Sequence, residues 1–588
     1  MTDSTVPAWW TTAVVYQIYP RSFADGNGDG IGDLRGIRGH LDHLQDLGVD
    51  VVWLSPIYRS PQADNGYDIS DYEDIDPMFG TIDEFDTLLG EIHARGMKLM
   101  MDLVVNHTSD EHPWFQAARS STKNPKHDWY IWRRPIDGAE PNRWRSAFGG
   151  PAWAWNPPTQ EYFLHMFAPQ QPDLNWANPA MRDAIYTMMN RWLDRGVDGF
   201  RMDVIDHIAK DPDALIDPSS ERYVMQPQAH DYLREMHERV FAPRQEALLT
   251  VGEMPGVTIE DAIRFTDPKR HELDMVFQFE HVDLDRGPDS KFDNHRAPLG
   301  ALKRSLARWQ DGLADRGWNS LYLGNHDQPR AISRFGTVPP GSDRLRYETA
   351  TALATALHLH RGTPYIYQGD EIGMTNAGFT TIDDYRDVET LNYYRSQVGR
   401  GVPAATVLEA IGFRSRDNAR TPIPWTGDGA SSFTDGVPWI GMAAAADRIN
   451  VADDRAAGTR SVFEYYRRLI ALRHDSEVVR LGAFALLEPD HKQLWAFRRC
   501  RGADARIVLV NCSDEPCPVP DALRARLGPL VLGNLQRAEA LTKGPDDADA
   551  AGAESVEAAG PRADDVLNVG ILAPWEARVF RECTEPDK

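Results

Sequence analysis

The chain has 588 residues, of which 42% are hydrophobic and 10% aromatic, and a formal net charge of -25. That length exceeds what one hydrophobic core usually organises, so two or three domains are expected, and the acidic balance disfavours nucleic acid and anionic lipid as partners and suits a neutral small molecule. The N-terminal segment has no basic stretch followed by an apolar run, and about 18 consecutive apolar residues occur nowhere, so a cytoplasmic protein with no membrane partner is expected.

Short β-branched and aromatic runs alternate with amphipathic helical stretches as far as residue 373, the pattern of repeated βα units around a parallel sheet. Strands are predicted at 14–20, 49–57, 97–107, 196–205, 247–254, 273–282, 319–327 and 363–373. Eight such units predict an α/β fold, a closed (β/α)8 TIM barrel. Between them, Thr81, Asn178 and Ser342 read as helix N-caps, and Gly96, Gly196 and Gly362 as stops. Residues 108–176, rich in Trp, Pro and His, are too long and too weakly periodic for a helix and read as an inserted domain after strand three. A second excursion is expected over 375–460 after strand eight, then a helix near 461–475. The runs QLWAFRRC and RIVLVNCS predict a C-terminal antiparallel β domain. The expected division is a barrel over 1–107 and 177–480, an insertion over 108–176, and a β-sandwich over 481–588. Within the last, GPDDADAAGAESVEAAGPRADD reads as an acidic low-complexity loop. The four cysteines lack CxxC spacing and read as buried thiols.

In a TIM barrel the active site lies at the C-terminal ends of the strands. Strand three ends in Asn106-His107, strand four in Arg201-Met202-Asp203, strand five in Gly252-Glu253 and strand seven in Asn325-His326-Asp327. Three carboxylates, Asp203, Glu253 and Asp327, therefore converge on one rim. Strand alternation puts Arg201 and Asp203 on one face, where the guanidinium would keep the carboxylate ionised, as a nucleophile requires. Glu253 would be held protonated if Asp327 adds like charge beside it, and one acid with one nucleophile suffices for glycoside hydrolysis. A single strand-end Asp or Glu is more often part of a salt bridge, but four strands delivering Arg, Asp, Glu, His and Asp to one rim are hard to explain as capping.

The segments DLVVNH, GFRMDVI, VGEMPG and LGNHD resemble the four signature regions of the α-amylase superfamily, glycoside hydrolase family 13. Further segments, QIYPRSF, DGNGDGIGDLRGI, DNGYDISDY, QPDLNW and SRDNARTPIPW, resemble its oligo-1,6-glucosidase branch. The resemblance implies Asp203 as nucleophile, Glu253 as acid/base, and Asp327, His326 and His107 as groups that hold the sugar ring. It implies Tyr67 as a stacking floor, Asp64 and Arg416 as the pair closing the pocket around a terminal glucose, and Phe167 and Gln171 as lining of that subsite. Val204 is the residue that resembles a determinant of linkage: valine there accompanies α-1,6 cleavage in the resembling enzymes. A branched side chain would crowd an α-1,4 aglycone, an effect of about 1–3 kcal/mol that gives preference and not exclusion. Alternatives on the same scaffold are an α-1,4-glucosidase, a sucrose isomerase, against which Pro255 and the segment Asp283 to Gly287 speak, and a non-catalytic carbohydrate-binding subunit.

Asp25, Asn27, Asp29, Ile31 and Asp33 alternate with glycines in a loop that either folds around a hard cation or forms Asx/Gly turns needing none. It is not an EF-hand, since Gly36 occupies the position of the bidentate Glu. The family resemblance implies structural Ca2+ there.

Overall fold

The computed structural model describes residues 8–213, 224–287, 290–292, 295–535 and 570–583. Eight short parallel strands lie side by side in chain order: β1 (Val15–Ile18), β2 (Val51–Leu54), β3 (Lys98–Leu103), β4 (Gly199–Met202), β5 (Leu249–Glu253), β6 (Met275–Phe277), β7 (Ser320–Leu321) and β8 (Thr363–Tyr367). β8 pairs with both β1 and β7, and a parallel bridge between Val276 and Asn319 joins β6 to the start of β7. The sheet thereby curls back on itself as a barrel.

Each strand is followed by a helix that covers its outer face: α1 (Leu41–Leu47), α2 (Ile82–Ala94), α3 (Pro179–Arg195), α4 (Gln228–Met236), α5 (Ile259–Thr266), α6 (Leu299–Gly312), α7 (Asp343–His358) and α8 (Val462–Asp475). The predicted caps are in place. Thr81 and Glu84 form a reciprocal capping box on α2, Asn178 accepts from the Ala180 and Met181 amides, and Ser342 accepts from Leu345. These side chains satisfy amides that the first turn leaves without partners. Gly196 closes α3 at φ +113° and Gly96 stands just past α2 at φ +77°. Gly362 is no helix stop: α7 ends at His358, and a Cβ at Gly362 would stand 2.4 Å from the Asn319 carbonyl oxygen, so the glycine serves close approach of the chain entering β8 to β7.

Strand alternation divides the side chains between two cores. Val14, Tyr16 and Ile18 face the helices, while Val15, Val51, Trp53, Met100, Leu249, Val251, Met275, Phe277 and Tyr365 fill the barrel interior. The same parity carries polar residues to the upper interior layer: Gln17 two residues beyond Val15, Asp102 two beyond Met100, and Glu253 two beyond Val251.

Between β3 and α3 lies a helix, Pro113–Ser120, capped by His112, and a small antiparallel sheet of Trp132–Arg133, Glu161–Leu164 and Trp153–Asn156. The weak periodicity of this stretch hid the short helix. Between β8 and α8 run the helices Val388–Gly399 and Ala404–Arg414. After α8 comes an antiparallel sheet of β9 (Ala483–Leu487), β10 (Leu494–Arg501), β11 (Asp504–Asn511), β12 (Leu527–Gly533) and β13 (Ala577–Glu582), ordered β9-β10-β11-β13-β12. It docks on the barrel through Lys303 of α6, which donates to the Glu488, His491 and Leu494 carbonyls. The acidic tract at 544–565 lies outside the described residues. The cysteines are free thiols, but only Cys517 is buried, and Cys583, just past the end of β13, is exposed. No described helix is long and apolar enough to cross a membrane.

Candidate active site

The upper barrel interior is built around one guanidinium. Arg201 projects inward from β4 and is 1% exposed. Its Nη1 contacts Asp102 of β3 at 2.8 Å and Asp203, one residue past β4, at 2.5 Å, while its Nη2 reaches Glu253 at the end of β5 at 2.8 Å. Two nitrogens of one planar group thus hold Asp203 and Glu253 within a guanidinium's width of each other. Glu253 Oε2 also accepts the Val204 amide at 3.1 Å. Val204 reaches that position with φ +33°, a left-handed backbone that β-branched residues seldom adopt.

One cation for three buried carboxylates is too little to ionise them all. Burial pushes Glu253 up to about 8, with the Arg201 charge opposing and Asp203 and Asp327 adding to the rise. Burial likewise pushes Asp203 up to about 7 and Asp102 to about 6, each against the lowering effect of Arg201. Two expectations are corrected. Arg201 does not hold Asp203 in the ordinary carboxylate range, because burial, with the charge of Asp102 added, outweighs it. Loss of water, and not the charge of Asp327, is the leading reason Glu253 retains its proton.

A second arc of side chains closes the opposite wall. Asp327 accepts from Arg416 at 3.0 Å and from Arg420 at 2.8 Å. Burial alone would raise its carboxyl, but the Arg416 and Arg420 guanidiniums hold it well below the ordinary range. Arg416 also binds Asp387 at 2.5 Å and reaches Asp64 at 3.4 Å. Asp64, with that weak pairing, is pushed up to about 7 by burial. Gln171 donates to Asp64 at 3.1 Å. The Phe167 ring stands 5.3 Å from the ring of His107, whose Nε2 lies 3.0 Å from the Tyr67 carbonyl. Burial lowers His107 to about 4, so the ring is neutral near pH 7. Tyr67 stacks on His326 at 5.2 Å and 5°, and its hydroxyl donates to Asp102 at 3.1 Å.

The twelve residues expected to carry chemistry or bind substrate, Asp64, Tyr67, His107, Phe167, Gln171, Arg201, Asp203, Val204, Glu253, His326, Asp327 and Arg416, thus form one contiguous network at the C-terminal end of the barrel. Sequence reasoning passed over Asp102, Arg420, Asp387 and Gln17. Asp102 and Gln17 carried a usable signal, strand parity, since each lies two residues beyond an interior apolar residue. Arg420 lies in the segment SRDNARTPIPW, four residues after Arg416. Nothing local marks Asp387.

The glycine-rich loop is separate. Asp25 accepts the Asn27, Gly28 and Gly30 amides and the Thr434 hydroxyl, Asn27 accepts the Asp29 amide, and Asp29 accepts that of Ile31. Asp33 caps the following helix through Oδ1, while its Oδ2 is buried without a hydrogen-bond partner. Burial, aided by Asp25 and Asp29, raises the Asp33 carboxyl. Among the described residues no three acidic, His or Cys side chains cluster tightly enough to hold a metal by themselves. The donor set fits a hard cation only if the Asn27 amide oxygen and the Ile31 carbonyl join it.

Residues 17–482 match the family described as α-amylase, catalytic domain. The chain is 49% identical to the oligo-1,6-glucosidase of Parageobacillus thermoglucosidasius over 97% of its own length and 99% of that protein's. It is 50% identical to the oligo-1,6-glucosidase of Bacillus cereus, over 87% and 92% of the two chains. The crystal structure of isomaltulose synthase from Protaminobacter rubrum superposes with a TM-score of 0.89 at 37% identity, covering 99% of this chain and all of that one.

Proposed function

The chain belongs to the α-amylase family, and on that premise we propose that it is a retaining, exo-acting α-glucosidase preferring α-1,6 bonds in small oligosaccharides such as isomaltose and panose. It is a glycoside hydrolase. The observation that carries the mechanism is the Arg201 bridge, which holds two carboxylates side by side, while burial raises Glu253 further than Asp203.

Asp203 then attacks the anomeric carbon while Glu253 donates its proton to the departing oxygen, giving a covalent glycosyl-enzyme. Loss of the Glu253 proton adds negative charge beside the forming oxocarbenium, and the same carboxylate takes a proton from the water that opens the intermediate. Asp327, kept ionised by two arginines, offers a fixed negative charge to the developing cation and to ring hydroxyls. Asp64 and Arg416 close the pocket beyond the non-reducing glucose, which supports exo action. Val204, next to the nucleophile and donating its own amide to the acid, would crowd an α-1,4 aglycone.

The test is a panel of isomaltose, panose, maltose, sucrose and trehalose, with the anomer of the first product read by NMR. The reading predicts higher kcat/KM on isomaltose than on maltose, and α-glucose released first. Preference for maltose overturns the linkage, and β-glucose overturns retention. The likeness to isomaltulose synthase makes sucrose the informative member for the isomerase alternative, where isomaltulose or trehalulose as main product would decide for it.

For the loop at 25–33 we propose structural Ca2+, supported by its all-oxygen donors and by the unpartnered Asp33 Oδ2. Asp25, Asn27, Asp29, Asp33 and the Ile31 carbonyl would hold it, far from the reacting atoms. A melting temperature lowered by chelator and restored by Ca2+ is the expected result, and an unchanged one sinks the proposal.

A further inference from the structure

The His326 ring lies at the centre of the site, and three of its neighbours restrict where its proton can be. Its Nε2 is 2.5 Å from the Tyr67 hydroxyl oxygen and 3.1 Å from Asp327 Oδ2. The Tyr67 hydrogen is committed to the Asp102 carboxylate, so the Tyr67 oxygen can only accept from the ring. Asp327, ionised, also only accepts. Both neighbours on this side therefore require a hydrogen on Nε2. The ring is fully buried, and its surroundings hold it neutral: burial first, with Arg201, Arg416 and Arg420 opposing a second positive charge and Asp327 alone favouring it. A neutral ring with its hydrogen on Nε2 has a bare lone pair on Nδ1, which needs a donor.

That donor comes from β1, which is separated from β7 only by β8. Gln17, on β1, is 1% exposed, and its Nε2 lies 2.8 Å from His326 Nδ1 and 3.1 Å from the Ser55 hydroxyl. We propose that Gln17 is a positioning residue whose side-chain N–H locks His326 in the neutral Nε2–H tautomer, so that the ring presents its single proton to Tyr67 and Asp327. Gln17 touches none of the reacting groups and acts only through the histidine.

An amide also faces Nδ1 of His107. Lys210, buried against Asp173, can only donate, and it donates to Asn106 Oδ1 at 2.5 Å. That orients the Asn106 amide with its N–H towards His107 Nδ1, 3.1 Å away, while Nε2 faces both the Tyr67 carbonyl at 3.0 Å and the Gln171 amide nitrogen at 3.1 Å.

The proposal rests on the glucosidase reading only for its effect on turnover. Its structural half is tested without substrate, by neutron diffraction from deuterated crystals of the free protein. Deuterium on Nε2 of His326 and none on Nδ1 is expected, and deuterium on Nδ1 overturns the proposal. For turnover, Gln17→Met removes the donor at nearly constant volume and should lower kcat/KM on p-nitrophenyl α-glucoside about 10- to 100-fold, chiefly through kcat. Wild-type kcat in a folded Gln17→Met protein overturns it. Gln17→Glu places a carboxylate on Nδ1, which stabilises the imidazolium, so a new ionisation should enter its pH profile of kcat/KM that neither wild type nor Gln17→Met shows. An unaltered profile overturns it, whether or not Gln17→Met folds. Asp203→Asn separately tests the glucosidase reading: if it leaves hydrolysis intact that reading fails, while the neutron result on Gln17 still stands or falls alone.

Discussion

Replacing Glu253 with Gln should abolish turnover and at the same time stabilise the protein, in a way that depends on pH. The folded carboxyl keeps its proton to about 8 because burial raises it. In the unfolded chain an ordinary glutamate loses that proton some 2.5 pH units below pH 7. Each such unit is worth 1.36 kcal/mol, so at pH 7 retaining the proton costs the fold on the order of 3 kcal/mol. The sign follows from linkage: a raised carboxyl contributes nothing unfavourable below the unfolded value and destabilises progressively as pH rises through the window from about 4.5 to 8. Gln keeps an oxygen for the Val204 amide and for Arg201 and has no proton to lose. Allowing for rearrangement of the new amide, a gain of about 1–3 kcal/mol is expected at pH 7 and none at pH 4. Melting curves of the two proteins at pH 4, 5.5, 7 and 8 measure it. A stability difference that is absent at pH 7, or the same at every pH, would refute the claim that Glu253 is buried with a raised carboxyl.

Asp102→Asn removes one of the three charges that share Arg201, so both limbs of the pH profile of kcat/KM should move to lower pH, with reduced maximal rate; limbs that stay in place or move up contradict the shared-guanidinium account. Val204→Ala should raise the maltose-to-isomaltose ratio of kcat/KM by about 10-fold, and no change in the ratio would remove Val204 from the specificity argument. Asp285→Asn strips the only carboxylate paired with the buried Arg334 and Arg414, at 2.6 and 2.5 Å among the described residues, and should destabilise by about 3–5 kcal/mol in denaturant melts.

Eight strands and the caps of three helices were legible because they depend on local patterns: β-branched runs, and Thr81, Asn178 and Ser342 at helix starts. The extents were not, because every predicted strand was longer than the observed one. Residues such as Asn106-His107 and Asn325-His326-Asp327 continue the apolar strand text but lie in the turns beyond β3 and β7, where they leave the ladder to line the site. Gly362 was misread because a glycine serving close approach looks the same in sequence as one ending a helix. The acidic residues at strand ends were visible one by one. What the text could not display was that Arg201 has three claimants, since Asp102 arrives from a strand almost a hundred residues earlier. The contribution of Gln17 was equally hidden: a glutamine in a strand carries no chemical signature until the ring it faces is known.

The distribution of arginines explains which carboxylates can act as which. Asp102, Asp203, Glu253, Asp64, Asp327 and Asp387 share three guanidiniums, so some must remain protonated in a site that excludes water. Arg416 and Arg420 both converge on Asp327 and Asp387, and these are the two held below the ordinary range. Arg201 alone serves Asp102, Asp203 and Glu253, and these three are raised. A proton is therefore retained beside the candidate scissile bond, where an acid is needed, and permanent negative charge is kept across the pocket, where a sugar cation would form. Moving one arginine's worth of charge between the two groups would reverse that assignment without altering a single carboxylate, so the division between acid and fixed anion is a property of the guanidiniums and not of the acids themselves.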